Sequence, residues 1–581
     1  MKFSLLLTAS VSLLSIVSAQ QNDLTPSSNA SNQDSFKQLR NTLYQHDNSV
    51  KNIAFFAAFG GSSHCNWVLS FMDELGARGH NAKFLTANEM TAFGRPFKHV
   101  ETVSVGPIVQ IDRAKTFKNS EEGRLDTPMN AFLGYSMMQG KFDSYYHFAR
   151  DYFIRNNVDV VLCDHFADAC LEAALSLKLP FIVTSTILLN EESSAPYTND
   201  DISLTLEPTT EFESFSTRFY NKLIYPFRYF YDLRPAYREL NAMKAAATGD
   251  IGIKRHDYYS SKLWKDSLKI INSLYGFTAP RPLDPLTELV GPIMPSHYKP
   301  LTPDLEVFLN MHRRVAYIAF GQNATPSEAE IKLILTTLME CLERGYIDGI
   351  VWATVHAAGR FPDTVTTTYS NTTYDVSSFF KGGHPDVKLI TWAPQIAILN
   401  HPSSHVFVSH GGQGSWYESV YSGTRMLMFP FFADQPINAV MVERSGLGGR
   451  FDTHTSPEEM LKLFEYVIMD PNNEIKENVK RAQALMQVHS RRSIARAADL
   501  VEEVAFTHKD GKLIHRETAD RRMSFLKTHH LDIYGAALFI VFAIISVIKV
   551  LTTSLVVPLF KSFLQASATI ARSEETKIKS Q

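Results

Sequence analysis

The sequence predicts an α/β protein: two doubly wound parallel-sheet domains followed by one C-terminal transmembrane helix. Three features point there. Continuous apolar runs alternate with helical patterns in both halves, a Pro-rich stretch separates the halves, and an uncharged apolar segment lies near the carboxyl end. The 581 residues are 45% hydrophobic, 12% aromatic and 20% charged, which supplies large cores and excludes a mostly disordered chain. With 57 basic against 60 acidic residues, composition gives no support for nucleic acid as a partner. Cys65, Cys163, Cys170 and Cys341 lack zinc-ribbon spacing and are too sparse to staple the fold, so stability is expected from apolar burial.

In the first half, Ile53 to Phe59 ends in Gly60-Gly61, a helical pattern runs from Asn66 to Arg78, and a second strand follows at Ala82 to Thr86. The pattern repeats with Val158 to Cys163, a helix over Ala167 to Leu177, and Phe181 to Thr184. Such runs suit strands covered on both faces. Residues 281–303, rich in proline, read as a linker between a domain at 49–280 and another at 304–510. In the latter, Val315 to Phe320, Ile350 to Thr354, Val387 to Ile390, Val406 to Ser409 and Met426 to Phe429 are the strand candidates.

Residues 1–19 combine Lys2, an apolar run and the small residues Ser18 and Ala19, the pattern of a cleaved signal peptide; 20–48 is a flexible polar segment. Ile533 to Ile548 gives about 24 Å of helix, short of a roughly 30 Å hydrocarbon core. Extension through Val557, with Lys549 snorkelling, makes a tilted span over 532–557 after a juxtamembrane segment at 511–531. Signal and span together imply a single-pass type I membrane protein with luminal domains and a cytosolic tail at 558–581. The tail ends Lys577-Ile578-Lys579-Ser580-Gln581, similar to a dilysine retrieval signal, which favours the endoplasmic reticulum. Sequons stand at Asn29, Asn323 and Asn371, the last being the better glycan acceptor.

The segment Val406 to Gln435 is the most informative. Gly411, Gly412 and Gly414 follow a strand and open a helix, where backbone can approach an anion and free amides face it. His410 and Ser415 can donate to the same phosphate oxygens. Glu418, a turn further, can accept from ribose hydroxyls, and Asp434 with Gln435 at the end of the next strand suit a hydroxyl-rich sugar. Upstream, Trp392 in a Pro-containing turn can stack on a base, with Gln395 in reach of its edges. Tyr417 stands where a dinucleotide fingerprint has its third glycine, which argues against hydride transfer.

With these residues the chain resembles a membrane-anchored UDP-glycosyltransferase of the UDP-glucuronosyltransferase type, from about Asn52 to the span and most densely over Thr391 to Gln435. The resemblance implies a GT-B fold, two facing Rossmann-like domains with UDP-sugar held mainly by the second. It places uracil on Trp392, the nucleoside at Gln395, pyrophosphate at His410, Gly412 and Ser415, ribose at Glu418, and the transferred sugar at Asp434 and Gln435, with Gly414 among the UDP-sugar-binding residues. Gly321 and Gln322 join the donor site, with Gln322 where the family commonly has Ser. Gly423-Thr424-Arg425 replaces the usual Gly-x-Pro, and Arg425 is a candidate partner for a glucuronate carboxylate.

His64, after Gly60-Gly61, has the placement of the family's base; a neutral imidazole can take the proton of an attacking hydroxyl. Asp164, at the carboxyl end of its strand, matches the partner that fixes the tautomer. The implied reaction is inverting transfer of a glucuronosyl or glucosyl group to a hydroxyl of a small lipophilic acceptor. No cofactor is expected beyond the UDP-sugar co-substrate, and no metal, since the donor region lacks Asp-x-Asp. A second reading is a catalytically inactive, membrane-anchored UDP-sugar-binding regulatory protein. Phe212 to Tyr231, aromatic with interleaved bases, suits an acceptor wall, a bilayer contact or core packing. Homo-oligomerisation is left open by the sequence.

Overall fold

The computed structural model describes residues 50–110, 136, 138–188, 195–199, 207–249, 261–295, 298–322, 324–355 and 357–579. The signal peptide, the polar segment at 20–48, the sequons at Asn29 and Asn323, and the last two residues of the tail lie outside them.

In the first lobe, β1 (Asn52–Phe56), β2 (Asn81–Thr86), β3 (Val100–Ser104), β4 (Val160–Asp164), β5 (Phe181–Ser185), β6 (Leu268–Ile271) and β7 (Thr287–Leu289) form one parallel sheet, ordered β3-β2-β1-β4-β5-β6-β7. In the second, β8 (Val315–Ala319), β9 (Gly349–Ala353), β12 (Val387–Ile390), β13 (Ser404–Ser409), β14 (Arg425–Met428) and β15 (Gly448–Arg450) are ordered β12-β9-β8-β13-β14-β15. A separate hairpin pairs β10 (Thr364–Thr366) with β11 (Thr373–Asp375), and exposed Asn371 lies in its turn. The apolar runs become central strands because both faces are covered: Phe55, Phe56, Val161 and Leu162 are inaccessible in one lobe, as are Ile318, Val351 and Phe407 in the other. Strand order reverses between β1 and β4 and between β8 and β13, and at such points the loops diverge to leave a crevice.

The lobes do not divide where the sequence suggests. Thr287–Leu289, inside the supposed linker, supplies the seventh strand of the first sheet, and Leu286, Val290 and Ile293 belong to its core. Conversely, Leu274 and Phe277 pack in the second core. The helix Glu474–Thr507 begins in the second core with Ile475, Val479 and Met486, then crosses to the first with Ala497, Leu500, Val501 and Val504. Arg78 binds Asp499 and Glu502 of that helix at 2.8 and 2.7 Å, and His80 meets Glu502 at 3.1 Å. Residues up to Arg521, which pairs with Asp266 and Asp284 at 3.0 and 3.1 Å, therefore belong to the first lobe rather than to a juxtamembrane tether. Periodicity finds such a helix but carries no mark of which sheet it covers.

The cysteines also differ from expectation. Cys163 and Cys170 form a disulfide with Cα atoms 5.8 Å apart, closing a seven-residue step across the loop that carries Asp164, while Cys65 and Cys341 are free and buried. The helix Leu531–Leu551 continues through a π turn at Thr552–Val556 into Val557–Lys579, and none of its described side chains from Asp532 to Arg572 packs into either core. It is long and apolar enough to cross a membrane.

Leu500→Ala is expected to lower stability by about 3 kcal/mol, because it opens a cavity in a core distant in sequence. Denaturant unfolding of the full chain measures it. An unchanged midpoint would mean that this helix does not complete the first core.

Candidate functional site at the junction of the two lobes

The site is assembled from loops at the carboxyl ends of strands in both sheets. After β1, Gly60 (φ 94°) turns the chain into the helix Ser62–Ala77; a Cβ on Gly60 would lie 2.3 Å from the His64 ring, so the residue there must be glycine for the imidazole to fold back. His64 Nδ1 is 2.9 Å from Asp164 Oδ2, with side chains 14% and 3% exposed. Asp164 Oδ1 accepts from the Phe166 amide at 3.0 Å. The rings of His165 and Phe166 stack on His64 at 5.1 and 5.0 Å.

Burial pulls the His64 pKa down, but the charge and hydrogen bond of Asp164, with a contribution from Asp434, outweigh it, and the group lies above its ordinary value. Burial pushes Asp164 up, yet His64, His165 and the Phe166 amide hold it below the usual carboxylate range. His165, chiefly desolvated, falls to about 4 and is neutral. The ligand atoms of His64, Asp164 and His165 lie within 4.8 Å of one another, close enough for a cation, although the His64–Asp164 hydrogen bond by itself accounts for two of them.

Opposite stands the second lobe. His410 follows β13, and a Cβ on Gly412 would come within 2.5 Å of its Nε2, so glycine is what admits the ring beside the helix Gln413–Ser422. Burial, opposed by the Ala319 carbonyl, takes His410 to about 4, leaving it uncharged. Gly321 faces the same ring from the β8 loop; next to it, exposed Gln322 brings Oε1 within 3.7 Å of where a Cβ on Gly61 would be. Gly414 is exposed at the helix start with open space before it.

Gln395 ties two further expected residues together: its Nε2 donates to Ser415 Oγ at 3.0 Å and Glu418 Oε2 at 2.7 Å, while its Oε1 accepts from the Tyr317 hydroxyl at 3.3 Å. Burial raises Glu418 to about 7 against the opposing Gln395 bond. Trp392 is 55% exposed, which leaves an indole face open for stacking. Gln435 Oε1 accepts from the amides of Phe431 and Phe432 at 2.9 and 3.1 Å, fixing the side chain. Asp434, whose pKa burial raises, accepts from Asn438 Nδ2 at 2.8 Å, and the same Asn438 nitrogen reaches the Gly411 carbonyl at 2.9 Å.

The structure thus brings His64 and Asp164 toward the candidate residues of the second lobe, with Asp434 close enough to act on the His64 charge. Arg425 is excluded from the site. It starts β14, at the opposite end of the strand from Asp434, and its guanidinium binds the Val467 and Ile468 carbonyls and pairs with Asp470 at 3.3 Å. Sequence reading passed over Asn438, His165, Phe166 and Tyr317. The first is four residues beyond Asp434 on a helix, a spacing that puts both on one face; the next two adjoin Asp164.

The description "UDP-glucoronosyl and UDP-glucosyl transferase" matches residues 152–566. The chain belongs to this family. A UDP-glycosyltransferase of Talaromyces amestolkiae is 31% identical over 285 residues, 46% of this chain and 53% of that protein. One from Fusarium mangiferae is 24% identical over 542 residues, 84% and 95% of the two chains. The match thus spans about half the length of the first of these relatives. Among solved structures, the glycotransferase of kitacinnamycin covers 78% of this chain and 99% of its own at a TM-score of 0.55 and 18% identity, a likeness of fold. Family membership and this likeness agree with a GT-B fold of two Rossmann-type lobes.

Because Glu418 titrates near 7 when folded and near 4.5 when unfolded, folding takes up a proton between those values and loses stability as pH rises through them. Glu418→Gln removes that loss. Its stability relative to wild type is expected to improve by as much as about 3 kcal/mol from pH 5 to pH 8, read from paired denaturant titrations. A constant difference would place Glu418 in water.

Proposed function

We propose that the protein is an inverting glycosyltransferase that moves a hexosyl group, glucuronosyl or glucosyl, from a UDP-sugar to a hydroxyl of a small lipophilic acceptor. The observation that carries the reading is the His64–Asp164 pair of the first lobe set against Asp434 of the second. Neutral His64 would accept the acceptor's proton at Nε2 while Nδ1–H donates to Asp164, which stabilises the imidazolium as it forms. The acceptor oxygen would attack the anomeric carbon as its bond to UDP breaks, in one displacement that inverts configuration and forms no covalent sugar intermediate.

Trp392 would stack on uracil, Gln395 and Glu418 would meet the nucleoside, and Asp434 with Gln435 would hold the sugar hydroxyls. Gly321, Gln322, His410, Gly412, Gly414 and Ser415 would surround the pyrophosphate, whose departing charge the helix amides would stabilise. In this reading UDP-sugar is a co-substrate and the residues named carry the step without a resident cofactor or metal. A lipophilic acceptor is supported by the aromatic side chains Phe56, Phe59, Phe142, Tyr145 and Phe166 beside Asp164; the space among them, about 20 Å³, holds no more than a water-sized group, so an acceptor would have to part them. With the apolar helix as a single span, both lobes would lie on one side of a membrane, and the tail motif supports the endoplasmic reticulum.

UDP release is to be followed with a panel of phenols and sterols. His64→Ala is expected to cut turnover at least about a hundredfold with UDP affinity unchanged; equal turnover would refute the assigned base. Since the raised His64 must be neutral to act, kcat/KM should rise with pH through a value above 6.5, and Asp164→Asn should move that limb to lower pH while slowing the reaction. An unmoved limb would detach Asp164 from the base.

A further inference from the structure

A helical stretch begins at Phe215, passes through a π turn at Tyr220–Ile224, and continues as Tyr225–Thr248. Its exposed side chains include Phe215, Phe219, Leu223, Phe227 and Tyr231, with Phe215 and Phe227 at 74% and 78%. They recur every fourth residue. In a regular helix such a row drifts by about 40° per step; the wider π turn takes part of that back. An exposed row of four aromatic side chains and one leucine, in water, marks a surface that meets something apolar.

Two observations choose a bilayer as the occupant. Between Ser214 and Arg234 stand Arg218, Lys222, Arg228 and Arg234 against Asp232 alone, an excess of positive charge suited to anionic headgroups. Further, the candidate span is tethered to this same lobe. Arg516 binds Glu288 at 2.8 Å, Arg521 holds Asp266 and Asp284, and the apolar helix starts at Leu531. Even fully extended, the chain between Arg521 and Leu531 keeps the lobe within roughly 35 Å of the helix entering the membrane.

The inner face of the helix leads to the site. Tyr225, Tyr229, Leu233 and Leu240 form a buried cluster against which Phe166 packs, and the Phe166 ring stacks on His64. We propose that this helix is an interfacial element: its outer aromatic row rests in the boundary of an anionic bilayer, and its inner face guides an acceptor dissolved in that bilayer toward Phe166 and His64. The second half of the statement rests on the transferase activity proposed above; the first does not.

The full chain in phosphatidylcholine vesicles with about 30% phosphatidylserine tests both halves. Cys65 and Cys341 are buried and Cys163 is paired with Cys170, so a nitroxide reagent will label Phe219→Cys, Phe227→Cys or, as a control in the second lobe, exposed Tyr466→Cys. Labels at 219 and 227 are expected to collide with oxygen more than with an aqueous nickel chelate, and the label at 466 the reverse. Equal aqueous access at all three overturns the docking. Spin–spin broadening at 227 that vanishes on dilution with unlabelled chain also overturns it, by assigning the row to a second copy.

For the route, Phe215→Ser, Phe219→Ser, Phe227→Ser and Tyr231→Ser together should lower kcat/KM about tenfold for a long-chain alkylphenol held in the vesicle, with little change for phenol in water. Equal losses, or none, overturn the route. A wild type that glycosylates neither compound would count against the transferase reading instead, while the label depths still decide the docking.

Discussion

The hydrogen bond between His64 and Asp164 depends on β1 and β4 being neighbours across the point where the first sheet reverses its strand order. There the loops that follow two adjacent parallel strands diverge and leave a crevice, and the side chains of both meet in it. Everything around the pair serves to hold it. Gly60 lets the imidazole fold back, the Phe166 amide fixes the carboxylate, and two aromatic rings cover the imidazole. The second sheet repeats the construction with β8 and β13, and there the crevice receives glycines, a helix start and a neutral His410. In the proposed reading, one side of the junction would move a proton and the other would hold an anion and a sugar.

Burial does opposite things to the titrating groups of this junction, and the difference separates their roles. His410 is desolvated without a carboxylate partner and stays uncharged, a hydrogen-bonding group that costs no buried charge. His64 is also desolvated, yet Asp164 and Asp434 favour its protonated form, the state it would have to reach if it accepts a proton as proposed. Glu418 is lifted by burial against the hydrogen bond it accepts from Gln395.

Much of the site was legible because its residues sit in short local patterns. Gly-rich turns after apolar runs, the helix that begins at Gln413, and Asp434 at a strand end announce the crevice without knowledge of which elements touch. The long-range arrangement was not legible. Nothing in the Glu474–Thr507 pattern says that its second half completes the first core, and the short strand Thr287–Leu289 hides in a proline-rich stretch that reads as linker. Arg425 shows the same limit on a smaller scale: nine residues before Asp434, it starts the strand that leads to the site and so lies at the far end. Strand direction, rather than nearness in sequence, decides which side chains share the crevice.

The central claim is that an imidazole of one lobe faces a carboxylate of the other across the cleft. It is tested most directly by titrating His64 in the full chain, using labelled histidine and a His64→Gln difference spectrum, with and without Asp434→Asn. If the lobes face each other as described, removing the Asp434 charge lowers the His64 pKa. An unchanged pKa would mean that the two groups do not share a site, and the account would fail.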